Sequence, residues 1–286
     1  MTSTLLRPHP PRTTRTTGAG PRALARDWSE IQERMLVPLY EAVHTRLGVG
    51  PGTRLLGLGC GSGLALLMAA ARGADVTGVE SDSPERLSLA RERLAARLAA
   101  HEEGAGAPGP VGGARLAEQP PARARAYSVV TSLEPVGCLT GDTDALVARL
   151  RDAAPLAERG AAVVLTGWGP PERCATTAVL RVAARLAEPR APGSWRPAGR
   201  DDLEDVARRA GLVPDGSGRV SCPFGYAGTD SAVRGLWSTG LFDAAAAATD
   251  HDQVDKELRE ALHPYVRPDG TVWMPNVFRY LVARTR

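Results

Sequence analysis

Between Arg54 and Glu80 the chain reads RLLGLGCGSGLALLMAAARGADVTGVE, with glycines at 57, 59, 61 and 63 and an acid at its end. Alternate glycines let the backbone take unusual φ/ψ angles and leave peptide groups bare to a ligand, with no Cβ in the way. Where such a bend opens a helix, unpaired N–H groups face whatever anionic group docks there. The Glu80 carboxylate can accept hydrogen bonds from two ribose hydroxyls. Together these residues predict a nucleoside-containing ligand. A second acid, Glu134, follows the apolar run Tyr127–Ser132, at the strand end where open α/β sheets bind ligands. It is the candidate general base.

The elements that must position these residues can be read around them. Leu55–Leu58 and Val76–Val79 are short apolar runs on either side of an Ala/Leu-rich helical stretch. That pattern predicts a β-α-β unit in a parallel sheet, with the glycines at the turn from strand to helix. The dinucleotide fingerprint G-x-G-x-x-G/A fits in no frame. Its last position falls on Ser62, Leu64 or Leu66 when counted from Gly57, Gly59 or Gly61. A nicotinamide-dependent oxidoreductase is therefore disfavoured.

The G-x-G-x-G spacing within L-G-C-G-S-G instead resembles the first motif of the class I S-adenosylmethionine-dependent methyltransferases. The phrase Trp168-Gly169-Pro170-Pro171-Glu172-Arg173-Cys174 is similar to a W-G-x-P-x-x-C phrase of bacterial small-molecule members. The resemblance implies an α/β, doubly wound, mostly parallel seven-stranded sheet of Rossmann-like type. Its last strand is antiparallel, between strands five and six, and a helical cap insertion at about 224–270 precedes it. It also implies S-adenosylmethionine as cofactor, with Gly59, Cys60, Gly61, Gly63, Glu80 and Ser81 binding it. Methyl transfer to a small-molecule acceptor is the activity that follows. The family usually has an acid at the position of Gly57 and often Asp at that of Ser128. These departures motivate an alternative: a methyltransferase-fold protein that no longer transfers methyl groups and acts as a ligand sensor or scaffold.

The remaining sequence sets bounds. At 286 residues, 43% hydrophobic and 23% charged, the chain reads as a soluble globular protein. We expect a disordered tail at 1–25 and one methyltransferase-like domain over 26–286. Nearly all cations are arginine, Lys256 being the only lysine, so the mild excess of +3 reflects codon bias rather than a nucleic-acid footprint. Leu133-Glu134-Pro135-Val136 also lacks the N/D-P-P-Y/F phrase of many base methyltransferases. Four separated cysteines read as reduced thiols, and no apolar run is long enough to span a bilayer, so a cytoplasmic location is expected. No metal is expected, because His44, His101, His251 and His263 form no close ligand pair.

A helix is predicted over Asp27–Leu47, kinked or divided at Pro38, with Gln32, Arg34, Tyr40 and His44 as further site candidates. Strands are expected at 114–117, 127–132, 160–167, 212–222 and 273–283. Trp168 should emerge beside the pocket. Phe224, Tyr226, Leu236, Trp237 and Phe242 should form an apolar wall over the substrate, with Asp230, Arg234, Asn276 and Arg279 as polar contacts.

Overall fold

The apolar runs on either side of the glycine bend form β1 (Arg54–Leu58) and β2 (Asp75–Val79), paired in parallel with Leu56 opposite Thr77. The structure is a computed structural model that describes residues 20–102, 112–121, 127–187 and 193–286. Five further strands complete the main sheet: β3 (Ala114–Ala117), β4 (Tyr127–Val136), β5 (Ala157–Trp168), β6 (Val213–Ser221) and β9 (Val277–Arg284). Their order is β3-β2-β1-β4-β5-β9-β6. Strands β1 to β5 pair in parallel, and β9 runs antiparallel between β5 and β6. The order reverses at β1, between β2 and β4, which is the switch point where such sheets open a crevice. The doubly wound, seven-stranded architecture is as expected.

Helices cover both faces. On one, α5 (Asp142–Ala153) and α7 (Asp202–Arg209) bring Leu146, Leu150, Leu203 and Val206 against Leu56, Val163 and Leu281. On the other, α2 (Val37–Leu47) and α6 (Thr176–Leu186) pack Leu39, Val43, Val179 and Leu180 around Val164 and Phe278. Between β6 and β9 the chain forms β7 (Phe224–Tyr226), α8 (Thr229–Trp237), α9 (Asp243–Ala248), α10 (His251–Leu262) and β8 (Val272–Met274). Phe224, Tyr226, Leu236, Trp237 and Phe242 are all buried in the same core cluster. They are core residues of this face rather than the substrate wall expected of them.

Two expectations are corrected by local chemistry. The last strand does not run from Trp273 to Ala283. It splits at Pro275 and Asn276, leaving β8 in a separate ribbon with β7. Pro275 has no N–H for a ladder. The buried Asn276 side chain accepts from the Thr176 amide (3.1 Å) and donates to the Met274 carbonyl (3.2 Å). The entry helix also begins earlier, at Pro21, inside the segment read as tail; residues 1–19 lie outside the described ones.

That entry helix is not one regular cylinder. α1 (Pro21–Asp27) runs into a π turn (Trp28–Gln32), a 3₁₀ turn (Glu33–Leu36) and then α2. The division falls ahead of Pro38, which sits in the first turn of α2, where its missing N–H costs nothing. In the π turn the Glu33 amide bonds back to the Trp28 carbonyl, so residues five apart come onto one face. The Gly- and Pro-rich stretch 101–114, whose composition predicts a loop, falls mostly outside the described residues.

Candidate functional site

At the end of β1 the backbone turns through left-handed conformations at Gly59 (φ 60°) and Gly61 (φ 55°), which cost a residue with a Cβ about 1–2 kcal/mol each. Gly63 opens α3 (Leu64–Ala71); a Cβ there would lie 3.0 Å from Ala90 of α4 (Pro84–Glu102). Gly63 therefore serves close helix packing. Gly57 has its own explanation, since a Cβ at that position would come within 2.8 Å of Leu66. The side chain of α3 already fills the space that an acid would need.

Glu80, at the end of β2, is buried beneath the bend. One carboxylate oxygen accepts from the Gly61 amide (2.8 Å) and the other from the amides of Asp82 (2.9 Å) and Ser83 (3.2 Å). Burial raises its pKa, the Asp82 and Gly61 amides and Arg86 pull it back, and nearby Glu134 adds to the rise. A carboxylate has about four lone-pair sites. Three are taken internally, so Glu80 has one left for a ligand hydroxyl, not two.

The bend is covered from the entry helix. The Trp28 indole and the Glu33 carboxylate sit over Gly61, where a Cβ would meet Trp28 Nε1 at 3.2 Å and Glu33 Oε1 at 3.4 Å. Glu33 is 2% exposed. It accepts from the Ser62 hydroxyl, the Leu64 amide (3.3 Å) and Arg93 (2.7 Å). The Leu64 amide is the first of α3, so Glu33 supplies at this helix N-terminus the negative charge that an anionic ligand would otherwise bring. Burial raises the Glu33 pKa, and Ser62 and Arg93 oppose the rise. Arg93 also donates to the Ser29 carbonyl (3.0 Å), tying α4 to the entry helix. Arg86 lies over the Trp28 ring at 4.2 Å, faces Glu134 at 3.5 Å and donates to the Ser238 carbonyl at 2.8 Å.

What remains is a cavity of about 20 Å³ whose lining includes Trp28, Tyr40, Gly59, Gly61, Leu133 and Glu134. That holds a single water, not a nucleoside. The Trp28 Nε1 proton is buried there without a partner among the described residues. Bare backbone and a buried carboxylate meet at this bend, but the free volume beside them is smaller than a nucleoside.

The structure gathers Gly59, Cys60, Gly61 and Glu134 around the cavity. Glu134 reaches it through an irregularity in β4, whose pairing with β5 shifts between Ser132 and Val136. The Cys60 thiol is pushed up to about 12 by burial and by the charges of Glu80 and Glu33. Ser81 is exposed and donates to Asp82 (2.9 Å), away from the cavity. Among the further candidates, Tyr40 lines the cavity, whereas Arg34 is exposed. Gln32 accepts from the Tyr226 hydroxyl (3.0 Å), and buried His44 lies 3.2 Å from Arg72. Glu33, Arg86 and Arg93 were missed. Glu33 sits off the apolar stripe of a regular helix, and only the π turn rotates it inward.

No protein-family model matches the chain, and no curated protein matches it in sequence. Solved structures do resemble it. The YcgJ protein of Bacillus subtilis aligns with a TM-score of 0.51 and 14% identity, over 86% of this chain and 97% of that one. A Bacillus halodurans C-125 protein bearing the name of a methyltransferase gives a TM-score of 0.50 and 14% identity, over 85% and 97%. The geranyl diphosphate C-methyltransferase of Streptomyces coelicolor A3(2), solved with S-adenosyl-L-homocysteine, gives 0.47 and 16%, over 89% and 80%. With strand order, antiparallel β9 and a glycine bend at the switch point all on the page, the chain has the fold of the class I S-adenosylmethionine-dependent methyltransferases.

Proposed function

We propose that this protein binds S-adenosylmethionine and transfers its methyl group to a small-molecule acceptor, and that the form described here is closed. The observation that carries the reading is the meeting of the Gly61 amide and the Glu80 carboxylate, 2.8 Å apart, at the switch point of the sheet. When bound, the cofactor supplies an electrophilic sulfonium methyl, so the protein's task is mainly alignment. Gly59 and Gly61 offer bare backbone to it, and Glu80 offers its remaining acceptor site. Glu134, held near Arg86, is the candidate base for an acceptor that must lose a proton. Opening requires Trp28 and Glu33 to leave the bend.

A second reading is favoured by the 20 Å³ cavity and by the internally satisfied Glu80. In it, the fold no longer transfers methyl groups and serves as a ligand sensor or scaffold. Calorimetry with S-adenosylmethionine and S-adenosylhomocysteine, on the native chain and on Trp28→Ala, tests both readings. Closure by Trp28 reduces the apparent affinity by the fraction of molecules that are open, so Trp28→Ala should bind more tightly. Silence from both proteins at millimolar ligand would remove the first reading and the sensor form of the second, leaving a scaffold, which a pull-down for a partner protein tests. Binding without any acceptor gaining a methyl group, across metabolite extracts followed by mass spectrometry, would leave the second.

A further inference from the structure

A larger cleft opens at the carboxyl end of β5, two strands or roughly 10 Å along the sheet from β1. Its volume is about 580 Å³, and its lining includes Trp168, Glu172, Arg173, Arg200, Arg219 and Arg279. Four guanidinium groups come from four places: the turn after β5, the loop before α7, β6 and β9. Arg219 and Arg279 stand directly opposite each other in the β6–β9 ladder. Like charges at such paired positions destabilise a sheet. Glu204 of α7 offsets part of this, accepting from Arg279 at 2.7 Å, and the Arg279 side chain is only 14% exposed. Arg173, Arg200 and Arg219 have no ion-pair partner among the described residues. Against four cations stand Glu172 and Glu204, leaving an excess of two positive charges (4 − 2).

We propose that this cleft binds the phosphoryl group of a small organic phosphate, with the organic part against Trp168, Pro170 and Pro171. A carboxylate brings one charge and two oxygens, enough for one guanidinium fork. A phosphoryl group brings about two charges and three acceptor oxygens, which match the excess and can engage guanidiniums from several elements at once. The paired arginines then make sense as a stability cost retained for the ligand. As an anion site the cleft stands alone; as the anchor of the methyl acceptor it rests on the function proposed above.

Inorganic phosphate, titrated at constant ionic strength by calorimetry and thermal shift, tests the site. The native protein should bind it, and Arg219→Gln and Arg173→Gln should each weaken binding by about tenfold or more. Without ligand, Arg219→Gln should melt no lower than the native chain, because it relieves the pair with Arg279. Arg208→Gln, an arginine outside the cleft, is the control for loss of net charge. Absence of binding at millimolar phosphate, or equal weakening by Arg208→Gln, would overturn the site. Titrating S-adenosylhomocysteine into the same samples keeps the two conclusions apart, since its binding or silence reports only on the glycine bend.

Discussion

Glu33 ties the entry helix to the glycine bend and to α4, and it does so as a buried acid. Its carboxylate binds Ser62, the first amide of α3 and Arg93, while burial lifts its pKa above the ordinary 4.5. An acid whose folded pKa is raised holds its proton more tightly when folded. Stability is therefore lost as pH rises from 4.5 through the raised value. Glu33→Gln lacks this ionisation, so the native chain should lose stability relative to the variant as pH rises across that window. Urea unfolding of both proteins at a series of pH values measures it, and a constant difference would contradict it. His44 works the other way. Burial, and then repulsion from Arg72, lowers its pKa from 6.5 to about 4. Its contribution is complete above pH 6.5 and is lost as pH falls towards 4, up to about 3 kcal/mol. An imidazole resonance titrating near 4 in the folded protein would bear this out, and a midpoint near 6.5 would refute it.

Among the elements, β9 carries the aromatic packing of one face of the sheet. Inserted antiparallel between β5 and β6, it buries Phe278 completely against Trp168 (ring centroids 4.8 Å apart) and Phe224 (5.8 Å). Phe278→Ala should cost about 3–5 kcal/mol of unfolding free energy in urea, and Phe278→Leu distinctly less. A loss below one kcal/mol for the alanine variant would mean that this part of the core is loosely packed. The entry helix is the element expected to move. Its π and 3₁₀ turns interrupt regular helical bonding directly over the bend. If the seat opens there, S-adenosylhomocysteine should change amide exchange across residues 21–36 and in α4 near Arg86 and Arg93. Bound ligand with unaltered exchange in both segments would place it elsewhere.

At the scale of the whole molecule, the cysteines report on integrity. All four are free, with Cys138, Cys174 and Cys222 buried and Cys60 partly so. Burial raises the pKa of each thiol, Cys222 to about 11. A thiol-reactive dye at pH 8 should therefore label the native protein slowly and all four cysteines rapidly in urea. A fast native thiol would show that the core opens readily. Among the described residues no helix is long and apolar enough to cross a membrane.

The β-α-β unit, the strand ends and the glycine bend were legible because each is written locally, in apolar runs of strand length and in residues that tolerate φ > 0. The seven-stranded order and the place of the antiparallel strand came with the motif's resemblance to a known family. Tertiary structure decided the rest. The cover over the glycine bend comes from Trp28 and Glu33, which a π turn brings onto one face against any regular helical reading. The arginine cleft depends on the register that sets Arg219 opposite Arg279, residues far apart in the chain. Even the unusual Gly57 is explained only by Leu66, which packs into its space. Local pattern states what a segment tends to become; which side chains meet is fixed by packing between segments, and no single stretch of sequence contains it.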